Sequence, residues 1–224
     1  MGAVVDVDIW SDVVCPWCYI GKRRFERAVA ELTGEIDVRV RYRPFQLDPT
    51  APPIGTPVLD AYARKFGSPE RAAQIIDHVT RTAAEEGIEF RMDRAVRANT
   101  LDAHRLLWLS EATGHQLALK QRLLEAYFED GLDIGDRDVL ADRAADVGMD
   151  RVAVAAFLQS DDGTEQVREW LAAAAEAEIT AVPTYVVSAG DARWAIPGAQ
   201  ETETFVQVIR RVAARAAAAD ADAR

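Results

Sequence analysis

The chain is poor in the residues that build metal sites and disulfide frameworks, with two cysteines and three histidines among 224 residues. There is no second cysteine pair, and His78, His104 and His115 are scattered through a stretch that reads helical, so the four closely spaced ligands of a structural zinc site are missing. A small secreted fold held by several disulfides is excluded on the same ground. Long apolar runs are missing too. The N-terminal run from Val4 to Trp10 is interrupted by Asp6 and Asp8 and falls far short of a membrane span. Basic residues are outnumbered, 26 Lys and Arg against 37 Asp and Glu, and the net charge of -11 repels nucleic acid. Neither a nucleic-acid nor a membrane partner is expected. Met1-Gly2-Ala3 leads straight into the apolar run without a basic segment, so the expected address is the cytoplasm. There a lone C-x-x-C is catalytic or metal-binding more often than structural.

What is present is an ordinary globular composition, 49% hydrophobic and 28% charged, on a chain long enough to bury a substantial core. Both cysteines fall in Cys15-Pro16-Trp17-Cys18, directly after the strand-like Val4 to Trp10 and directly before the amphipathic run Lys22 to Leu32. Two thiols so spaced can close a short disulfide. A cysteine at a helix N-terminus also feels unpaired backbone N–H groups and the positive end of the helix dipole, which favours a thiolate at Cys15. Pro16 suits a first helical turn, where its missing N–H has no partner to lose. Haem attachment would need a histidine where Tyr19 stands. Closing so short a loop adds little stability, so a redox role outweighs a structural one. Lys22, Arg23, Arg24 and Arg27 follow, either as support for a nearby thiolate or as a solvated helix face.

In chain order, a first helix from Pro16 to about Leu32 is stopped by Gly34. A strand from Ile36 to Tyr42 follows, its Val38, Val40 and Tyr42 alternating with arginines. A helix between two strands implies a parallel pair with the dithiol at the C-terminal end of the first. Pro44, Pro49, Pro52, Pro53 and Pro57 mark a stiff connection, after which Val58 to Glu178 reads helical. Helix starts are expected at Ser68, Asn99, near Gln116, and at Asp136, Asp150 and Thr164. Ile179 to Val187 and Arg193 to Ile196 then read as an antiparallel hairpin. A last helix runs from Thr202 to about Ala216, with a fraying end at Asp220, Asp222 and Arg224.

Pro183, inside the returning strand, is expected at an edge, a bulge or a cis peptide bond. The order strand, dithiol, helix, strand, insertion, hairpin and helix is that of an α/β, thioredoxin-like fold with a large all-helical insertion. Residues 1–57 and 179–224 would form the discontinuous thioredoxin-like domain and 58–178 the inserted helical subdomain.

Asp12-Val13-Val14-Cys15-Pro16-Trp17-Cys18-Tyr19-Ile20-Gly21, Asn99-Thr100 with Ala103-His104-Arg105, Ala126-Tyr127-Phe128, Val182-Pro183 and Gly198-Ala199-Gln200 sharpen this reading. With them the chain resembles, over essentially its whole length, the FrnE-type branch of the DsbA family. That branch is similar in build to kappa-class glutathione transferases and 2-hydroxychromene-2-carboxylate isomerases. The resemblance implies a thiol-disulfide oxidoreductase in which Cys15 is the nucleophile, Cys18 the resolving thiol and Pro183 a cis-proline facing them. It implies that Val182, Asn99, Thr100, His104, Gly198, Ala199 and Gln200 bind substrate. For His104 and the residues at helix starts, packing or capping is the competing role. No metal or resident cofactor is implied, only a low-molecular-weight thiol as co-substrate, and the protein would be a monomer or homodimer. Trp17 stands where DsbA proper has a histidine, the further cysteine pair of some FrnE-type proteins is missing, and the isomerase branch carries serine at the place of Cys15. Two other functions compete. One is a thiol-dependent isomerase, transferase or reductase acting on small aromatic or polyketide substrates. The other is a chaperone-like peptide-binding module without redox activity.

Overall fold

The computed structural model describes residues 3–52 and 55–222; Met1, Gly2, Pro53 and Arg224 of the sequence reading lie outside them. Strand β1 (Ala3–Ser11) pairs in parallel with β2 (Ile36–Pro44), and helix α1 (Pro16–Glu31) forms the crossover between them. After a helical region, β5 (Thr184–Ala189) returns antiparallel to β1 and turns into the edge strand β6 (Ala192–Pro197). The resulting order, β2-β1-β5-β6, leaves β1 and β5 central. Val5, Val7 and Ile9 of β1 project onto one face, where they pack with Phe25, Ala28 and Leu32 of α1 and with Phe205, Val206 and Ile209 of the last helix, α9 (Thr202–Asp222). Each such large side chain contributes about 1.5–3 kcal/mol on burial. On the opposite face Trp10 meets Ala174, Ile179 and Val186.

Between the two halves of the sheet lie α2 (Val58–Phe66), α3 (Pro69–Glu85), α4 (Leu101–Ala112), α5 (Gln116–Phe128), α6 (Arg137–Asp146), α7 (Arg151–Gln159) and α8 (Thr164–Glu176). Ser68, Asp136 and Asp150 accept backbone N–H groups at the starts of α3, α6 and α7, as their positions in the sequence predict. Other expectations are corrected. The region is not helical throughout: between α3 and α4 the chain runs through turns and coil, and β4 (Val96–Arg97) pairs with β3 (Thr56–Pro57), a ladder too short to leave a period-two pattern. Thr100 occupies the N-cap position of α4, although the Asn99 side chain does accept the Leu101 N–H at 3.0 Å. Gly163, in the left-handed region at φ 74°, precedes α8 in place of Thr164. The strand expected from Ile179 starts only at Thr184, because Pro183 has no N–H to give a ladder. Helix α9 continues past Ala216 to Asp222.

The helical region has its own core, built on Leu106, Leu107, Leu119, Leu123, Leu124 and Phe128, and it takes in Val13, Tyr19 and Ile20 from the dithiol segment. Helix α1 therefore packs its first turns into the helical core and its later turns onto the sheet. A second tie runs from Arg24 and Arg27 on α1 to Glu86, each at 2.6 Å. Among the described residues no helix is long and apolar enough to cross a membrane.

Candidate active site

Cys15 is the N-cap residue of α1, with extended backbone angles, and Pro16 takes the first helical position. Its carbonyl accepts the N–H groups of Cys18 at 3.0 Å and Tyr19 at 3.3 Å, which turns Cys18 back beneath it. The two cysteines are free thiols, lie within 3.2 Å of one another, and are each 3% exposed. Opposite them the Val182–Pro183 peptide bond is cis, one of the three arrangements the sequence leaves open, and the Cys15 thiol stands 3.7 Å from the Val182 carbonyl oxygen. The Pro183 carbonyl accepts the Gly198 N–H at 2.7 Å, so the turn Gly198–Gln200 is fastened directly behind the proline.

Asp12 organises the turn that carries the dithiol. Fully buried, it accepts the N–H groups of Val13 and Leu47, both at 2.8 Å, and faces His104 Nε2 at 3.2 Å. The same ring nitrogen lies 3.0 Å from the Phe45 carbonyl, so it carries the proton and donates. His104 is thus brought to the base of the dithiol turn but is occupied there, in keeping with the packed role. Asn99 donates to the carbonyls of Pro49 and Ala51 at 3.3 and 3.2 Å, and Gln46 Nε2 reaches Asn99 Oδ1 at 3.3 Å and Thr100 Oγ1 at 3.4 Å. Both residues fasten the connection that follows β2. Gln200 turns its amide onto the Pro197 carbonyl at 2.7 Å, and Ala199 gives its carbonyl to Arg24 at 3.0 Å. Trp17 remains 38% exposed at the rim, its ring 6.1 Å from that of His78.

The ionisation of the pair differs from what a helix N-terminus alone predicts for Cys15. The hydrogen bond to Cys18, then burial, push the Cys15 thiol well up, and Asp12 adds to the effect. Burial acts the same way on Cys18. There it is outweighed by the hydrogen bond from Cys15, the positive charge of Lys120, the Ser11 hydroxyl and the Asp12 backbone N–H, so the Cys18 thiol is lowered. The surroundings thus favour a thiolate more at Cys18 than at Cys15.

Sequence reading missed the residues that complete this environment. Lys120 is fully buried on α5, and burial lowers its ammonium to about 8 against the opposing pull of Cys18, Asp12 and Cys15. Its place among Leu119, Leu123, Leu124 and Tyr127 at helical spacing was the available signal: a lysine inside an apolar stripe. Beside the dithiol turn a cavity of 390 Å³ is lined by Val14, Leu47, Val58, Tyr62 and Tyr127, with Arg64, Lys65, Arg97 and Asp48 as its charged groups. Burial and the Cys15 sulfur push the Tyr62 hydroxyl to about 12, so it stays protonated and can donate.

A pair of thiols at a helix start, facing a cis-proline turn, is the arrangement of thioredoxin-like redox proteins, and the comparisons agree. The DSBA-like thioredoxin domain model matches residues 6–210. The chain is 30% identical to the uncharacterized protein YwbO of Bacillus subtilis, over 92% of this chain and 96% of that one. Among solved structures it superposes on the probable DsbA oxidoreductase SCO1869 of Streptomyces coelicolor with a TM-score of 0.84 and 34% identity, covering 93% of this chain and 89% of the other. The cytosolic disulfide reductase DsbM of Pseudomonas aeruginosa, at 20% identity, a TM-score of 0.61 and coverages of 93% and 95%, shares the fold. The chain belongs to the DSBA-like thioredoxin domain family.

Proposed function

We propose that this protein is a cytoplasmic thiol-disulfide oxidoreductase of the FrnE-type branch, with Cys15 as nucleophile and Cys18 as resolving thiol. The observation that carries the reading is the free dithiol itself, two buried thiols within 3.2 Å at the N-terminus of α1. Cys15 is assigned the first attack because it lies at the end of the helix, next to the cavity-lining Val14 and beside the Val182 carbonyl.

In the first step Cys15 loses its proton. The Cys15 thiolate attacks a substrate disulfide, its electron pair forms the new S–S bond, and one substrate sulfur leaves as a thiolate. In the second step Cys18 loses its proton and attacks Cys15, and the other substrate sulfur leaves. The dithiol has then given two electrons and two protons to the substrate. With an oxidised dithiol and a dithiol substrate the same steps run in reverse. No group beyond the thiols is consumed.

The adjoining cavity favours a small thiol or disulfide as one of the two partners. Its 390 Å³ is within the range of small-molecule sites, and Arg64, Lys65 and Arg97 outnumber its one carboxylate, Asp48, to which Arg97 donates at 2.6 Å. An anionic group on the substrate suits that lining. A protein substrate would instead meet the exposed rim at Trp17.

The test is disulfide reduction and thiol oxidation by the wild type and two variants, with protein and small anionic disulfides as substrates. Cys15→Ser should abolish both activities, and Cys18→Ser should retain the first step and accumulate a mixed disulfide that mass spectrometry detects at Cys15. Turnover that survives Cys15→Ser would refute the assignment.

A further inference from the structure

Helix α1 presents the dithiol at its N-terminus and, about two and a half turns further along, reaches with Arg24 to the other half of the site. Arg24 Nη1 donates to the Ala199 carbonyl at 3.0 Å and lies 2.7 Å from Glu201 Oε1, and its Nε donates to Glu86 Oε1 at 2.6 Å. Glu86 is the C-cap residue of α3. The Arg24 side chain is 11% exposed and that of Glu86 7%, so both charges are largely out of water and depend on these partners. One planar guanidinium thereby joins the end of α3 and the turn before α9 to the helix that carries Cys15, a task the point charge of a lysine performs less well.

The segment facing the dithiol needs such a fastening. The β1–β5 and β5–β6 ladders both end at Thr184, so Val182 and Pro183 stand outside them. Ala181 is fastened by the Thr184 hydroxyl, which donates to its carbonyl at 2.8 Å, and Pro183 by the Gly198 N–H, which donates to its carbonyl at 2.7 Å. The second bond is only as firm as the turn Gly198–Gln200, in which Gly198 takes a φ of 78° and the Gln200 N–H closes onto the Gly198 carbonyl at 3.0 Å. Ala199, in the middle of that turn, is the residue Arg24 holds. The far end is fastened independently of the Arg24 side chain, because the Thr202 hydroxyl donates to the Arg24 backbone carbonyl at 3.1 Å. Removing the guanidinium therefore releases the turn at Ala199 and leaves α9 in place.

We propose that Arg24 is a positioning residue for the exchange reaction: through Ala199 and Gly198 it holds the Val182–Pro183 segment against the Cys15 sulfur, an inference that rests on the oxidoreductase reading. The attacking sulfur and the Val182 backbone offered to a substrate, 3.7 Å apart at the carbonyl oxygen, then belong to one piece, α1 with the turn strapped along its side. Arg24 takes up no proton and touches no reacting atom, so the two exchange steps run as described. Its contribution is to substrate binding. A group that keeps the substrate's backbone contact equally in the ground and transition states acts on KM and leaves kcat nearly unchanged. Glu86 retains Arg27, at 2.6 Å, when Arg24 is replaced, so the substitution leaves no carboxylate buried without a partner.

The test separates positioning from stability by comparing the full-length wild type with Arg24→Met, Arg24→Lys and Arg105→Met. Arg105 donates to the carbonyls of Asp162, Phe157 and Ser160 in the helical region, so its loss destabilises the fold without touching the turn. The first measurement is amide hydrogen exchange in the reduced protein, which needs no turnover. Relative to the amides of β1, exchange at Gly198 should rise by about 10-fold in Arg24→Met and stay within about 2-fold of the wild type in Arg105→Met. The second is steady-state reduction of a peptide disulfide. Arg24→Met should raise KM by about 10-fold with kcat within about 2-fold, and Arg105→Met should leave both within about 2-fold. Alkylation of Cys15 by iodoacetamide, which needs no contact with the turn, should stay within about 2-fold in Arg24→Met. Arg24→Lys keeps the charge without the fork and should show the changes in exchange and KM at about a third of their size. A folded Arg24→Met with wild-type exchange at Gly198 or wild-type KM overturns the proposal, as does a KM rise that Arg105→Met reproduces, or alkylation that slows in step with turnover. Should Arg24→Met not fold, an Arg24→Lys protein with wild-type values of both overturns it. If the wild type reduces no disulfide, the oxidoreductase reading itself fails, while exchange at Gly198 still decides whether Arg24 holds the turn.

Discussion

Replacing Gly21 with alanine tests how α1 is seated against the cis-proline turn. Gly21 lies in the second turn of α1, where an added Cβ would stand 2.6 Å from the Tyr185 hydroxyl oxygen and 3.2 Å from both Cα and Cβ of Ala199. Neither neighbour is free to move. The Tyr185 ring is 1% exposed and packs against Phe25 at 5.2 Å and Phe205 at 4.6 Å, while Ala199 belongs to the turn whose Gly198 N–H holds Pro183. In an unhindered helix alanine would be worth about 1 kcal/mol more than glycine. Overpacking a close contact costs about 1–3 kcal/mol, and a backbone atom on the receiving side places this one toward the top of that range. The net expectation is a loss of about 1–2 kcal/mol, or a melting temperature lower by about 2–8 °C for a chain of this length. Thermal denaturation of the reduced protein measures it. Adding Tyr185→Phe removes the nearest atom and should recover about 0.5–1 kcal/mol of the loss. A Gly21→Ala protein that melts at or above the wild type would refute the seating described here.

Two further substitutions probe the helical region. Glu86 is held below the ordinary carboxylate range: burial works against this, and the hydrogen bonds and charges of Arg24 and Arg27 outweigh it. Glu86→Gln should therefore cost about 1–2 kcal/mol at pH 7 in denaturant unfolding. Because the folded value is depressed, this stabilisation is complete above the unfolded value of about 4.3 and is lost as pH falls through the folded value, so the gap between wild type and variant must narrow only in acid. A gap that is constant down to pH 3 would count against the ion pairs as its source. Arg105, 2% exposed, donates to the carbonyls of Asp162 at 3.0 Å, Ser160 at 2.6 Å and Phe157 at 3.2 Å, and to Asp102 at 2.6 Å. Arg105→Met leaves those acceptors without a donor, and a loss of about 2–4 kcal/mol is expected in the same assay, with under about 0.5 kcal/mol refuting the role.

The strand-dithiol-helix order, the parallel β1–β2 pair and the β5–β6 hairpin were legible because each rests on local chemistry: period-two alternation, the C-x-x-C at a helix start, and the Gly190 turn. Pro183 could be placed for the same reason, since a proline in a strand has few permitted settings. What was not legible is tertiary. The β3–β4 ladder joins residues about forty apart through two-residue segments, and nothing local distinguishes them from the loops on either side. Asn99 and Thr100 look like helix-start residues and are, yet their side chains also hold the connection after β2, which only the folded chain brings near. His104 could be read as binding substrate or as packing, and in the folded chain its Nε2 is occupied by the Phe45 carbonyl and Asp12. Lys120 was lost in a leucine stripe, where a burial pattern is read for its apolar members and its one exception is passed over.

The same distinction explains why the two thiols ionise unequally. Sequence places Cys15 at a helix start, and the backbone field there does favour a thiolate. That field acts on a sulfur that also faces the Val182 carbonyl and the Asp12 carboxylate, both unfavourable to a negative charge. Cys18, one turn deeper, has no special position in the sequence but gathers the Ser11 hydroxyl and the Asp12 N–H from the end of β1 and the Lys120 charge from α5. These contributions add on one sulfur, and within 3.2 Å of a second thiol one charge suppresses the other. The buried groups thus favour a thiolate at Cys18 more than the helix N-terminus does at Cys15. Trp17, between the cysteines, contributes no charge and lies at the exposed rim, so what Ser11, Asp12 and Lys120 add at Cys18 comes from outside the four-residue motif.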